Sequence, residues 1–177
     1  METMNTLVVT FSGKDRLGLV DGLSRVVNSH QGNWEESRMV RLADRFAGLL
    51  EIRVSSAKSG LLESALLALN SEDLNIRVER GGRLPRGNGR RRLSLSVTGA
   101  DREGLVREVA RTIAARKWNV ESLESSTASA PMSGATLFRA TIEVSAPRAS
   151  DEEALREALE AISHELVVDI HLSAEGA

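Results

Sequence analysis

The residues best placed to do chemistry occur twice. Asp15-Arg16-Leu17-Gly18-Leu19-Val20 and Asp101-Arg102-Glu103-Gly104-Leu105-Val106 share the pattern Asp-Arg-x-Gly-Leu-Val. Each copy falls where an apolar run gives way to helical spacing, the point at which a strand turns into a helix. Asp15 and Asp101 are expected to cap those helices by accepting from the backbone N–H groups of Gly18 and Gly104. Glycine also leaves a helix N-terminus unshielded, so a carboxylate-bearing ligand can reach free N–H groups at the positive end of the helix dipole. Plain capping accounts for the same residues, with Gly13 and Gly99 doing no more than making the turn. Asn33 and Asn119, which open the following strand, recur in the same register as the turns.

Catalytic equipment is otherwise scarce. The three histidines, His30, His164 and His171, show no i,i+4 pairing, so no zinc-type helix site is offered. The chain has no cysteine, which removes thiol nucleophiles, thiolate metal sites and disulfides. There is no Gly-x-Ser-x-Gly elbow and no P-loop, and Gly87-Asn88-Gly89 lacks the third glycine of a dinucleotide fingerprint. Glu35 and Glu36 are neighbours on a strand and are expected to point to opposite faces, poor geometry for a two-carboxylate site. The expectation is a protein that is not an enzyme and carries no metal and no cofactor.

The elements that position these residues form a tandem repeat. A shift of 86 residues gives ten identities over residues 7–35 without a gap, among them Leu7 with Leu93, Arg25 with Arg111, Asn33 with Asn119 and Glu35 with Glu121. Val54-Ser55 is matched to Val144-Ser145 by a four-residue insertion in the second copy. Each copy reads strand, helix, strand, strand, helix, strand. In the first, Thr6–Phe11 is a β-branched apolar run, and Leu19, Val20, Leu23, Val26 and Val27 recur at helical spacing. Strands follow at 34–42 and 46–54, a helix at 58–70 and a last strand around Ile76 and Val78. In the second, Leu93, Leu95 and Val97 alternate with polar residues, Leu105, Val106, Val109 and Ile113 mark a helix, and Ser150 with Glu153 is expected to form a capping box. The order βαββαβ is the ferredoxin-like arrangement, α+β, with two helices on one face of a four-stranded antiparallel sheet. The other face of the first sheet, with Leu49 and Met39 expected to point outward, invites a cover.

Domains are expected at 1–79 and 93–177, joined by an Arg/Gly-rich linker at 80–92 that holds six arginines. Arg90–Arg92 can also begin the next strand. Across 177 residues, 41% hydrophobic and 27% charged, the net charge is −2, which argues against a strongly basic nucleic-acid coat. The linker arginines bring no helix-turn-helix signal with them, so direct nucleic-acid binding is not expected. No apolar run approaches the roughly 20 residues that span a bilayer. The N-terminal residues lack a signal-peptide pattern, so a cytoplasmic protein is expected.

The duplicated Asp-Arg-x-Gly-Leu-Val, the βαββαβ order and the asparagine opening strand two resemble the ACT domain, a small regulatory unit that binds amino acids. Two such domains with nothing else attached resemble the glycine cleavage system transcriptional repressor family over about residues 5–173. Ser37-Arg38-Met39, and the loop Pro131-Met132-Ser133-Gly134 followed by Leu137-Phe138, carry the closer likeness. The resemblance implies a regulator that holds an amino acid, glycine foremost, and acts on a DNA-binding transcriptional activator. Carried over residue by residue, the ligand-binding positions are Asp15, Gly18, Leu19 and Val20 in the first copy and Asp101, Gly104, Leu105 and Val106 in the second. Asn33 and Asn119 are adjacent candidates. The family is expected to be homodimeric. Trp34 departs from the Ile or Val usual after the asparagine, and Trp34 and Trp118 are expected on opposite sheet faces. Two further readings stand beside this one. One is a constitutive dimerisation module with no ligand. The other makes the small-residue segment 127–136 a lid over the second site.

Overall fold

The computed structural model describes residues 3–81, 90–129, 136–166 and 168–174. The chain divides into two compact units, Met1–Arg86 and Gly87–Ala177. The first contains β1 (Met4–Lys14), α1 (Leu19–Ser29), β2 (Asn33–Leu42), β3 (Arg45–Ser55), α2 (Ser56–Leu67) and β4 (Leu74–Arg80). The second repeats the order with β5 (Arg90–Ala100), α3 (Leu105–Ala115), β6 (Asn119–Ser129), β7 (Thr136–Pro147), α4 (Glu152–Leu166) and β8 (Val168–Ala174). The sheets run β2-β3-β1-β4 and β6-β7-β5-β8, and every paired strand is antiparallel. These are tandem ferredoxin-like units. Arg80 and Arg90–Arg92 lie in strands, so the linker reading narrows to 82–89, which is outside the described residues. The 130–135 part of the lid reading is outside them too, while Thr127–Ser129 continue β6.

Period-two burial builds each sheet. Leu7, Val9 and Phe11 of β1 are buried, and Leu50, Ile52 and Val54 of β3 lie beside them in register. Leu19, Leu23 and Val27 of α1 and Leu62 and Leu66 of α2 complete one continuous core with that face, so both helices cover it. The second core repeats the pattern with Leu105, Val109 and Ile113 of α3 and Leu155, Leu159 and Leu166 of α4. The apolar stripe of α1 and α3 is narrower than its sequence suggests, because Val20 and Val106 are each 41% exposed.

Several expectations change in detail. Trp34 pairs with Ile52 while Val120 pairs with Val144, so the second hairpin is six residues longer than the first, not four. Arg53 is therefore the structural equivalent of Ser145. The Val-Ser match was a local coincidence two residues out of register. Met39 faces Gly48 across the ladder and packs against the core instead of pointing outward; Leu49 does point outward. Trp34 and Trp118 both pack on the helix-covered side. Trp118 precedes β6, so strand alternation does not govern it. Helix α4 is capped by Asp151, whose Oδ1 accepts from the Ala154 N–H at 3.0 Å. Ser150 lies one residue too early for that bond. Gly13 and Gly99 sit inside β1 and β5, not in turns. A Cβ on Gly13 would strike the carbonyl oxygen of Asp73, and one on Gly99 the side chain of Val168. These glycines let the fourth strand of each sheet start hard against the central one.

The uncovered faces differ. On the first, Leu49, Val40 and Leu42 are exposed. On the second, β5 presents Ser94, Ser96 and Thr98, aligned with Glu143, Thr141 and Arg139 of β7. No helix among the described residues is long and apolar enough to cross a membrane. Leu62→Ala and Leu155→Ala, at fully buried positions, are expected to cost about 2–5 kcal/mol each. Leu61→Ala, on the exposed side of α2, is expected to stay within about 0.5 kcal/mol. Urea unfolding of the three variants checks the assignment of the helix faces.

Candidate functional site

The strand-to-helix turn has the same geometry in both units. Gly18 (φ 80, ψ 8) and Gly104 (φ 84, ψ −6) are the N-cap residues of α1 and α3, in the left-handed region. No side chain caps either helix. The first helical bonds run from the Gly22 N–H to the Gly18 carbonyl at 2.8 Å and from the Glu108 N–H to the Gly104 carbonyl at 3.0 Å. The expected capping by Asp15 and Asp101 is thus not made. Each aspartate lies three residues ahead of the glycine, too early for an N-cap. Instead the Asp15 N–H donates to Asp44 at 2.9 Å, and its carboxylate pairs with Arg41 Nε of β2 at 3.0 Å. The Asp101 N–H donates to the Thr136 carbonyl at 2.9 Å. Both aspartates tie the turn to the neighbouring hairpin. Among the described residues the first-turn N–H groups of α1 and α3 find no side-chain acceptor, at the positive end of the helix dipole.

A cavity opens beside each turn. In the second unit it measures about 490 Å³ and is lined by Asp101, Gly104, Leu105, Val106, Ala110 and Phe138 among others. This gathers all four expected positions of that turn. In the first unit the cavity is smaller, about 200 Å³, and Gly18 and Leu19 line it with Gly22, Leu23, Leu69 and Leu74. Asp15 and Val20 are not in its wall. Nothing lies within 4 Å of where a Cβ on Gly18 or Gly104 would stand, so both glycines border open space.

Asn33 and Asn119 lie elsewhere. Asn33 pairs with Arg53, which pairs with Thr6 near the start of β1. Strand rise puts that end roughly 25 Å from the Gly18 turn. At this end a β-bulge interrupts β2 after Trp34 and β6 after Val120. The extra residue is a glutamate in each copy. Asn33 Nδ2 donates to Glu35 Oε1 at 2.6 Å, and Asn119 Nδ2 to Glu121 Oε1 at 3.0 Å. The bulge also brings Glu35 to the uncovered face with Glu36, where alternation alone would have separated them. Arg53 Nη2 holds Glu35 at 3.3 Å. In the second unit Ser145 Oγ donates to Glu121, and Arg90 Nε donates to Ser145 Oγ at 2.9 Å. The Ser145 bond, then the Asn119 bond and the charges of Arg90 and Arg92, hold the Glu121 carboxyl below the usual carboxylate range against the cost of desolvation. These glutamates were absent from the sequence-based site, although the Asn-x-Glu identity in both copies pointed to them.

Two outcomes test this geometry. Gly18→Ala is expected to cost about 1–2 kcal/mol, the strain of a left-handed L-residue. Asp15→Ala loses an exposed ion pair, not a cap, and is expected to cost about 0–1 kcal/mol; chemical denaturation ranks the two. The second concerns pH. Because the folded-state pKa of Glu121 is lowered, the unfolded chain binds more protons as pH falls through the carboxylate range. The contribution of Glu121 is complete above that range and is lost as pH drops through the folded value. Glu121→Gln is expected to flatten that part of the stability–pH curve, read by urea unfolding at a series of pH values.

Comparison with known proteins agrees with this architecture. The ACT domain family model matches residues 5–79. The chain is 28% identical over 167 residues to the glycine cleavage system transcriptional repressor of Escherichia coli (strain K12), covering 94% of this chain and 88% of that protein. A crystal structure of a protein of unknown function from Galdieria sulphuraria superposes with a TM-score of 0.86 at 31% identity, covering 97% of this chain and 99% of the other. A crystal structure of a candidate glycine cleavage system transcriptional repressor shares the fold, with a TM-score of 0.70 at 23% identity over 96% of each chain. Residues 5–79 belong to the ACT domain family, and with the second copy of the same motif and topology the chain is a tandem ACT-domain protein resembling the glycine cleavage system transcriptional repressors.

Proposed function

We propose that this chain is a non-enzymatic cytoplasmic regulator that senses a small amino acid at its two Asp-x-x-Gly turns and passes the signal to a DNA-binding transcriptional activator. The observation that carries the reading is the duplicated helix N-terminus capped by a left-handed glycine with no side-chain acceptor. Unclaimed N–H groups at the positive end of a helix suit a carboxylate. The adjacent cavity in the second unit, bordered by Leu105, Val106 and Phe138, suits a small apolar or absent side chain. Glycine is the ligand and the glycine cleavage system the regulated process that the likeness to the E. coli repressor suggests. Leu17, Val20 and Val106 are exposed around the turns. A ligand that orders a turn changes the apolar surface offered to a partner.

The exposed Leu49, Val40 and Leu42 on the first sheet favour a second reading, a constitutive homodimerisation module without a ligand. Thermal unfolding of the purified chain against the twenty amino acids separates the two. A ligand present at about 100 times its Kd adds about 2.7 kcal/mol to stability. The sensing reading expects a selective rise in Tm with glycine or a near relative, reduced in Gly18→Ala and Gly104→Ala. A flat response to all twenty would overturn it and leave the dimerisation module.

A further inference from the structure

The uncovered face of the first sheet is apolar toward the tip of the β2–β3 hairpin. Leu42 and Val40 of β2 and Leu49 of β3 are 76%, 62% and 52% exposed. Register joins them into one stripe. Val40 is paired with Ala47, and Leu49 follows two residues along β3 on the same face. Leu42 and Leu49 are thus two steps of strand alternation apart, roughly 14 Å. Single exposed apolar residues are ordinary, but a contiguous stripe on an unpartnered face is the mark of an interaction surface.

Cations border the stripe on both sides. Arg38 is the β2 neighbour of Leu49, and Arg45 is the β3 neighbour of Leu42. Lys14 lies beyond Arg45 on β1, and Arg77 lies beyond Leu49 and Thr10 on β4. All four are exposed. Among the described residues Lys14, Arg38 and Arg77 have no ion pair, and Arg45 reaches only Asp44 of the turn, at 3.9 Å. The carboxylates of this face begin one row further on, with Glu36, Glu51 and Glu79 beside Val8. The second sheet has no such stripe. Thr141 stands where Leu49 stands, Ser126 where Val40 stands and Glu124 where Arg38 stands.

We propose that this half of the first sheet docks a protein partner through a short amphipathic helix whose apolar stripe is bordered by carboxylates. Leu42, Val40 and Leu49 need an apolar cover about 14 Å long, and a helix of about nine or ten residues supplies it at roughly 1.5 Å per residue. Acidic side chains on its two borders meet Arg38 on one side and Arg45 and Lys14 on the other. The apolar residues alone would also suit a second copy of this chain. The charges decide between the two, since a second copy brings four further cations and no strand carboxylate to the same half. The face is tied to the glycine-capped turn. Asp15 donates its N–H to the Asp44 carbonyl at the hairpin tip, and Arg41, between Val40 and Leu42, holds the Asp15 carboxylate at 3.0 Å. The proposal rests on the reading of the chain as a regulator with a protein partner and is independent of which ligand the turns take.

The test is fluorescence anisotropy of the full chain with a labelled helical peptide that has leucines at i, i+3, i+4 and i+7 and glutamates on both borders. The control is the same peptide with lysines in place of the glutamates. The expected result is saturable binding of the glutamate peptide alone, weakening as salt is raised. Amide-resolved NMR is expected to place it at Val40, Leu42 and Leu49. Arg38→Glu with Arg45→Glu is expected to weaken it by roughly tenfold or more, and Leu49→Asp by as much. Arg139→Glu, where the second sheet matches Ala47, is expected to leave it unchanged. These side chains other than Arg139 lie on the proposed face, and an unchanged spectrum elsewhere shows that the variants fold. Gly18→Ala with Gly104→Ala removes any effect of amino acids on Tm and leaves peptide binding, so a failed sensing role and a failed docking face read differently. Sedimentation velocity tests the second copy. No binding of the glutamate peptide, equal binding of the lysine peptide, undiminished affinity in Arg38→Glu with Arg45→Glu or in Leu49→Asp, or a dimer that Leu49→Asp dissociates overturns the proposal.

Discussion

The central strand of each sheet has to leave the ladder and become a helix within four residues, and a glycine in the left-handed region makes that possible. At φ 80 and φ 84, Gly18 and Gly104 reverse the chain where an L-residue would be strained. The choice has a chemical consequence. The residues that cap helices with a side-chain oxygen, Ser, Thr, Asp and Asn, are excluded from the one position where that oxygen would work. The helix begins with its N–H groups unclaimed, and the aspartate three residues upstream is released for other work. In the first domain that work is the bond to Arg41, which pins the turn to β2. Gly13 and Gly99 reinforce the arrangement by letting β4 and β8 begin flush against the central strand.

The two copies keep the same interior and diverge at the charged end of the sheet. Both have a bulge, both place a glutamate in it, and both set an asparagine two residues earlier to hold that glutamate. The counter-charge comes from different strands: Arg53 on β3 in the first domain, Arg90 and Arg92 on β5 in the second. A carboxylate turned out of a bulge needs a cation and donors nearby, and either neighbouring strand can supply them. The solutions are not equivalent in what they leave open. Arg90 lies across Ser145 and bonds its hydroxyl and carbonyl, while Glu143 Oε2 is buried without a hydrogen-bond partner among the described residues. An arginine on β3 engages the bulge glutamate and leaves its own Nε buried without a hydrogen-bond partner among the described residues.

The fold was legible because its signals are periodic. Leu7-Val9-Phe11 and Leu93-Leu95-Val97 alternate, and Leu19-Leu23-Val27 recurs every fourth residue. Burial enforces both patterns over many residues at once. Features decided by a single residue were not legible. Asp15 and Asp101 have the right residue type for a cap, but a glycine already holds the cap position three residues on. Ser150 lost its cap to Asp151 by one residue, and Ser55 lost its match to Ser145 by two. The bulges defeated strand alternation for Glu35 and Glu36, because one inserted residue flips every inference made by counting in twos. Gly18, Leu19, Gly104, Leu105 and Val106 border the cavities at the turns, as their position between strand and helix leads one to expect, while Val20 lies outside the wall of the first. The asparagines lie at the other end of the sheet, because sequence proximity to α1 hides the length of the helix that carries the chain back there.

Both interiors are filled by their own side chains, with Leu7, Ile52 and Leu62 in one and Leu95, Val144 and Leu155 in the other completely buried. The cavities are bordered by turns, strand ends and sheet faces. A ligand under the proposed sensing role would therefore meet the few groups that the folding pattern leaves without partners. At the turns those are backbone N–H groups, which favour a carboxylate and are indifferent to the rest of the molecule that carries it. Selectivity must then come from the neighbouring apolar wall, where Phe138, Leu105 and Val106 in the second domain border a larger space than Leu19, Leu23 and Leu74 in the first. The two turns share one backbone geometry and differ in the volume beside it, so under the proposed sensing role identical motifs in one chain need not have the same ligand preference.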